Sequence, residues 1–340
     1  MRGLFASVMA AGLLASAAQP AQAQAAVEKP TVIIATASLG LPYLPMVLAD
    51  RLGYYKDEGV AVEINAFTGG SKALEAVMGG SADVASGSYS HTIELAVKGQ
   101  KLVNFVVQVR YPALTLAVAK AKAASYHTLA DLKGMKIGVS APGSSTHMVL
   151  AWILSKAGLK SEDVSVIGVG TSAAAIAAIK SGQIDAIINS DPVMAKLEDG
   201  GDVVDIAETR TTAGVTAVFG GPYPEASLYA KASFLEQNPK TVQALVNAVV
   251  RAEKWLAKAT PEDVAKAVPP EYLLGDRALY LAAFTKMREA LSPDGLITAE
   301  GAKNVYDALL PFMPELKTKP VKLEDTYTNR YVEQALAKYR

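Results

Sequence analysis

"GSKALEAVMGGSADVA" (residues 70–85) and "SAAAIAAIKSGQIDAI" (residues 172–187) share a pattern of small and apolar residues, a glycine at matching places (Gly80, Gly182) and an aspartate three residues later (Asp83, Asp185). Each reads as a helix, a tight turn and a strand, with Leu74 and Val77, or Ile176 and Ile179, at the spacing of a buried helical face. Recurring Gly and Asp at βαβ turns would give the same pattern in any α/β protein. The alternative that organises the whole chain is that these are corresponding elements of two similar lobes.

Outward from these units, short apolar runs alternate with segments of helical period. Val32–Ser38, Ala61–Phe67 and Asp83–Ser86 read as strands, with helices over Tyr43–Glu58 and Ser71–Met78. The alternation resumes with strands at Lys136–Ser140, Val164–Val169 and Ala186–Asn189 and helices at Ser144–Lys156 and Ala173–Lys180. Such alternation predicts parallel strands joined by crossover helices, an α/β fold of two Rossmann-like lobes. Beyond about Ser233 the chain reads as helical, with N-cap signals at Asn238-Pro239 and Thr260-Pro261. "VVQVRYPALTLAVAK" (106–120) holds two extended runs broken at Tyr111-Pro112, and a Gly/Pro/Thr-rich passage covers Thr211–Pro224. If the chain leaves the first lobe near 112 and returns near 221, it crosses twice, which suits a hinge around a central cleft. The expected organisation is residues 26–112 and 222–340 in lobe I, with 113–221 in lobe II.

Composition excludes several function classes. The chain has 340 residues, 51% of them apolar, enough for two cores. Its 33 Lys+Arg balance 33 Asp+Glu. With no basic block, nucleic acid is not an expected partner. Arg2, the apolar run Leu4–Ala18 and Ala21-Gln22-Ala23-Gln24-Ala25 read as a secretory signal over residues 1–25, giving a mature start at Gln24 or Ala26. The chain has no cysteine, hence no disulfide and no lipidated Cys, and a bacterial periplasm fits these features.

Several stretches in this order resemble one family. They are "LPYLPMVLADRLGYYKDEGVAVEI" (41–64), "FTGGSKALEAVMGGSADVASGS" (67–88), "DLKGMKIGVSAPGSST" (131–146), "IAAIKSGQIDAIINSDPVM" (176–194) and "SLYAKASFLEQNPKTVQALV" (227–246). The sequence resembles the solute-binding proteins of ABC importers, of the sulfonate, taurine and nitrate (NMT1-like) type. That resemblance implies a type II periplasmic binding fold and capture of a small-molecule solute by lobe closure. It further implies a monomer that delivers the solute to permease subunits in the inner membrane, with no cofactor, no metal and no chemistry on the solute.

Candidate site residues follow from strand ends and helix starts. In "APGSSTHMVLAWIL" (141–154), Gly143 allows close approach to the backbone, and Ser144, Ser145 and Thr146 add hydroxyls to a helix N-terminus, a site for an anion. An ordinary helix cap is the competing reading. Gly70 and Ser71 hold the corresponding place in lobe I. Ser88, Tyr89 and His91 follow a strand's C-terminal end, where ligands of open α/β sheets lie. A helix-start or surface role is the alternative for His91. Leu39, Gly40 and Tyr43 follow the first strand and would form an apolar wall. Arg110 and Tyr111 open the first crossing, where Arg110 either forks onto a carboxylate or sulfonate or pairs with a surface acid. Asn189 and Asp191, in "NSDP", stand where relatives often carry an aromatic or acidic residue before proline, so a taurine-type ligand does not transfer directly.

The expected solute is a small organic anion, a sulfonate or carboxylate, with a neutral heterocycle such as a pyrimidine precursor as the alternative. An enzyme would need a constellation that is missing: there is no G-x-S-x-G and no H-E-x-x-H, and the three histidines, His91, His127 and His147, stand in unrelated contexts. "GVGTSA" (168–173) fits the permissive dinucleotide pattern G-x-G-x-x-A, with Asp191 as the acid on the next strand, and carries a remaining alternative, an exported nucleotide-dependent oxidoreductase.

Overall fold

The computed structural model describes residues 26–273 and 275–340; the expected signal segment lies outside them. Ten strands form two five-stranded sheets. The first holds β1 (Thr31–Thr36), β2 (Ala61–Ala66), β3 (Val84–Ser88), β4 (Leu102–Val107) and β10 (Ala226–Lys231), in the order β2-β1-β3-β10-β4. The second holds β5 (Leu114–Ala119), β6 (Lys136–Val139), β7 (Ser165–Gly168), β8 (Ala186–Ser190) and β9 (Val203–Glu208), in the order β7-β6-β8-β5-β9. The two orders are the same pattern, so each lobe is built from the same unit.

The repeat seen in the sequence is the turn that positions this pattern. Gly80 and Gly182 take the left-handed conformation, at φ 81° and 71°, where a side chain would be strained. Asp83 accepts from the backbone N–H of Ile33 at 3.0 Å, and Asp185 from that of Lys136 at 2.9 Å, tying the third strand of each unit to its first. Each aspartate also pairs with a lysine, Lys29 at 2.7 Å and Lys122 at 3.1 Å.

The sheets are mixed rather than purely parallel. β10 runs antiparallel to β3 and β4, and β5 antiparallel to β8 and β9. Both are the first strand laid down after the chain crosses between lobes. They start at the cleft and run away from it, while the remaining strands run toward it.

The long helix expected over Tyr43–Glu58 is broken. A 3₁₀ turn at Leu41–Tyr43 leads into a helix over Leu44–Arg51, and Gly53 at φ 76° starts a second short helix, Tyr54–Asp57. Five helices, Pro239–Lys258, Pro261–Ala267, Arg277–Met287, Ala299–Leu309 and Arg330–Lys338, make up most of the C-terminal part. Thr260 forms a capping box with Asp263. Asn238 does not cap: its amide donates to the Phe234 carbonyl, and the Glu28 carboxylate accepts from the Lys240 and Thr241 N–H groups instead. A remote acid thus satisfies that helix start and favours its dipole.

The two crossings lie side by side. Tyr223 N–H donates to the Arg110 carbonyl, Glu225 N–H to that of Val109, and Ala113 N–H to that of Thr209, at 3.2, 3.1 and 3.1 Å. Ala113 sits here at φ 53°, an uncommon conformation for a residue with a side chain.

Candidate functional site

Strand C-terminal ends from both lobes face one cleft. Its outer part is a cavity of 690 Å³, walled by Leu39, Gly40, Phe67 and Thr68 of lobe I and by Ser140, Pro142 and Gly168–Ser172 of lobe II. Lys72, Glu271 and Tyr272 stand at its rim. Sharing Ser140 and Thr171 with it lies a smaller chamber of 30 Å³. Ser38, Tyr43, Gly70, Pro112, Ser145, Thr146, Asn189, Ser190 and Glu225 line it.

The lobes touch where their helix starts meet. Gly69 has no side chain to cap the helix Gly70–Gly79, and the Ser144 hydroxyl of the other lobe does so by accepting from Ser71 N–H at 3.0 Å. The Ser71 hydroxyl donates to the Pro142 carbonyl at 3.0 Å and lies 3.2 Å from that of Ser144. A Cβ at Gly69 would come within 2.8 Å of Ser144 Oγ, so glycine is what permits this approach. Farther along the cleft, Leu41 N–H donates to the Asp191 carbonyl at 3.2 Å.

The hydroxyls expected to cradle an anion are largely committed. Ser144 caps the opposite helix, and Thr146 Oγ1 accepts from Ser140 N–H at 3.0 Å and shares a 2.8 Å bond with the Ser140 hydroxyl. Ser145 faces the Glu225 carboxyl. Gly143, at φ 80°, gives its N–H to His147 Nδ1.

Other sequence candidates lie behind the cleft lining. Tyr89 is buried with its hydroxyl on Thr326. His91 is buried rather than at the surface; its Nδ1 is 2.8 Å from the Tyr229 hydroxyl, and burial holds its pKa below the ordinary histidine value. Arg110 Nε donates to the Glu289 carbonyl, and its guanidinium stacks over the Tyr111 ring. The Tyr111 hydroxyl meets Thr212. Asn189 lines the chamber, its amide donating to the Gly170 carbonyl.

Asp191 is buried, which pushes its carboxyl up, and Arg210 offsets part of that. Both its carboxyl oxygens meet Arg210, at 3.2 and 3.3 Å, and it accepts from Ala195 N–H. Arg210, 1% exposed, also binds Glu198 at 2.6 Å, with Asp205 and Glu208 nearby.

Glu225 was not among the sequence candidates. It ends the second crossing just before β10, is 3% exposed, and accepts from the Ser88 hydroxyl at 2.8 Å. Ser90 lies 2.6 Å from Ser88 and completes a short relay. Burial pushes the Glu225 carboxyl up to about 7, against the partial relief of the Ser145 and Ser88 hydroxyls. An acid placed directly before an apolar strand, in "PYPEASLYA" (222–230), is the one signal the sequence offers.

Residues 42–263 match the family described as NMT1/THI5 like. The chain belongs to the NMT1/THI5-like family. A solved structure from Bordetella bronchiseptica RB50 is 49% identical, with a TM-score of 0.90 over 92% of this chain and 99% of that one. The periplasmic nitrate-binding protein NrtA from Synechocystis PCC 6803 shares 15% identity at a TM-score of 0.72, over 92% of this chain and 90% of its own. YtlA of Bacillus subtilis (strain 168), a binding protein by name, is 24% identical over 274 residues, 78% of each chain. This NMT1/THI5-like chain therefore has the periplasmic binding protein fold, two α/β lobes joined by two crossings around a central cleft.

Proposed function

We propose that the protein is the periplasmic solute-binding component of an ABC importer. It captures one small organic solute per chain by lobe closure and hands it unaltered to permease subunits in the inner membrane. The observation that carries this reading is the cleft itself: a cavity of 690 Å³ next to a smaller chamber with which it shares Ser140 and Thr171, walled by both lobes and bridged by two paired crossings. Ligand sites are concave and mostly apolar, with a few placed polar groups, and two crossings permit closure as a hinge. Among the described residues no helix is long and apolar enough to cross a membrane, in keeping with a protein that meets its permease from outside the bilayer.

The oxidoreductase alternative loses its supporting residue. The "GVGTSA" stretch does wall the outer cavity, but Asp191, the acid that would hold a ribose, is bound to Arg210. The test is small-angle scattering and a thermal-shift screen on the mature chain. A bound solute raises the melting temperature and shrinks the radius of gyration. Turnover of a solute, or saturation with no compaction, would remove the importer reading. Whether the solute's head is an anion or a neutral heterocycle depends on the inner chamber.

A further inference from the structure

This inference rests on the lobe-closure reading above and concerns what holds the lobes together. Chain order gives the segment after the second crossing to lobe I, yet the helix Arg277–Met287 packs on the lobe II helix Val193–Asp199. We infer that Arg277–Met287 is an electrostatic clasp: fixed to lobe I, it grips lobe II through the ion pairs Asp276–Lys196 and Lys286–Glu198, and the lobes open only as these pairs part.

The lobe I side of the clasp is anchored at both ends. Arg277 pairs with Glu262 of the helix Pro261–Ala267, and Arg288 donates to the Leu256 and Ala257 carbonyls at 2.8 and 3.1 Å. Those carbonyls end the helix Pro239–Lys258, which packs on the first helix of lobe I, Leu44–Arg51. The grip on lobe II is ionic instead. Lys196 Nζ lies 3.0 Å from Asp276, and Lys286 Nζ 3.0 Å from Glu198. Among the described residues, these are the two side-chain ion pairs that join residues 113–221 to the rest of the chain. The cleft contacts Ser71–Ser144 and Leu41–Asp191 are hydrogen bonds between uncharged groups.

The two ends of the clasp stand at different distances from the hinge. Just past the helix, the Glu289 carboxylate accepts from Thr212 N–H and the Glu289 carbonyl from Arg110 Nε, which places that end at the first crossing. Asp276 instead follows Glu271 and Tyr272, at the rim of the outer cavity. Rotation about the crossings displaces the rim most, so Asp276–Lys196 parts first. Lys286–Glu198 ties the clasp to the cleft wall: Glu198 also takes Arg210 at 2.6 Å, and Arg210 holds Asp191. Burial works to raise the Glu198 carboxyl, and Arg210 and Lys286 together hold it below the usual carboxylate range. The four side chains of the two pairs are 22–45% exposed, so dissolved salt screens both.

The test reads lobe separation directly. The chain has no cysteine, so Lys72→Cys and Ser172→Cys, on opposite walls of the outer cavity, can carry two spin labels. Without solute, raising sodium chloride to about 1 M shortens the screening length to about 3 Å and should shift the label distances to longer values. Lys196→Gln with Lys286→Gln leaves the Asp276 cap on Leu279 and the Arg210–Glu198 pair in place. In that variant the longer distances should already be populated at low salt, by roughly twofold to fivefold per lost pair, and should no longer respond to salt. Its melting temperature should stay near that of the wild type. Lys196→Arg with Lys286→Arg keeps both charges and should behave as the wild type does. Wild-type distances indifferent to salt, or the same salt response in the Gln variant, would overturn the clasp. In either case, shortening of the distance by a solute found in the thermal-shift screen would leave the solute-binding reading standing. A distance that never changes with salt, variant or solute would remove both.

Discussion

Asp191 and Glu225 are both buried carboxylates at the cleft, one at the end of a lobe II strand and one at the start of a lobe I strand, and they are held in opposite ways. Asp191 is met by a guanidinium and a backbone N–H, and its partner Arg210 is shared among further acids. Glu225 has serine hydroxyls and no cation. The guanidinium offsets part of the burial that pushes the Asp191 carboxyl up, which makes that pair part of the structure. A buried acid with neutral partners stays short of compensation, and such groups concentrate where ligands or protons are handled. The cleft thus carries one carboxylate paired with a cation and one left among neutral partners.

The sharpest way to break this comparison is to remove the cation. Arg210→Met should leave Asp191 buried with its charge uncompensated and cost about 3–5 kcal/mol of stability, seen as a large drop in the denaturant midpoint. Adding Asp191→Asn should restore part of the loss, because the orphaned charge goes with it. If Arg210→Met melts like the wild type, Asp191 is not held as argued, and the contrast with Glu225 disappears.

The second test uses pH. An acid that titrates at about 7 folded and near 4.5 unfolded binds its proton more tightly in the native state. Its contribution is fully present below pH 4.5 and is lost as pH rises through about 7, so the ligand-free protein should lose roughly 3 kcal/mol from this group by pH 8. Glu225→Gln should remove that part of the slope. Glu253 gives an internal control. It is buried with both carboxyl oxygens unpartnered, burial pushes it well above the usual carboxylate range, and it lines none of the cavities described above. Glu253→Gln should likewise flatten the alkaline slope. An alkaline slope left unchanged by both variants would mean that burial does not hold either acid protonated.

What the sequence made legible was periodic or local. The strand and helix alternation and the Gly80/Gly182 turns depend on neighbours a few residues away, and the Asp83/Asp185 match on repetition, whereas the groups those aspartates bind, on Ile33 and Lys136, lie 50 and 49 residues off. The mixed sheets were not legible, since the direction of β5 and β10 is fixed by where the chain re-enters each lobe. Within the candidate site, Tyr43, Ser145, Thr146 and Asn189 follow from strand ends and helix starts, and they line the chamber. The N–H partner of Ser144, Ser71, was not legible because it lies across the cleft in the other lobe. Glu225 escaped because it sits in an aperiodic Gly/Pro passage and its partner Ser88 is 137 residues away. Arg210 reads as one more surface charge until the fold encloses it with four acids.

A smaller effect is expected at the contact between lobes. The double change Ser71→Ala with Ser144→Ala removes the cross-lobe cap and both hydroxyls but leaves Glu225 and Asp191 untouched. Stability should fall by about 1 kcal/mol, the usual worth of a cap. Because these bonds exist only when the lobes touch, the solution radius without solute should increase. A smaller radius, or none of the stability loss, would mean that the carboxylates and not the helix starts set the closed arrangement.

The smallest effect concerns Ala113, where the two ends of the crossings can be weighed against each other. Its N–H bonds the Thr209 carbonyl beside Arg210, so it belongs to the rigid Asp191 end, while Glu225 stands at the other. At φ 53° an alanine carries about 1–2 kcal/mol of strain that glycine does not, but glycine forfeits roughly 0.5–1 kcal/mol through the entropy of the unfolded chain. The two terms nearly cancel, so Ala113→Gly should melt within about 1 kcal/mol of the wild type. Ala113→Val, with a branched side chain in the same conformation, should be clearly less stable than either. Affinity for a solute found in the thermal-shift screen is the more telling measurement. If the crossing is a hinge whose stiffness at the Asp191 end directs motion to the Glu225 end, the glycine variant should bind more weakly with unchanged stability, since the ligand must then order a looser segment. Unchanged affinity in a protein of unchanged stability would show that the torsion at Ala113 is passive and that closure is directed from the Glu225 end alone.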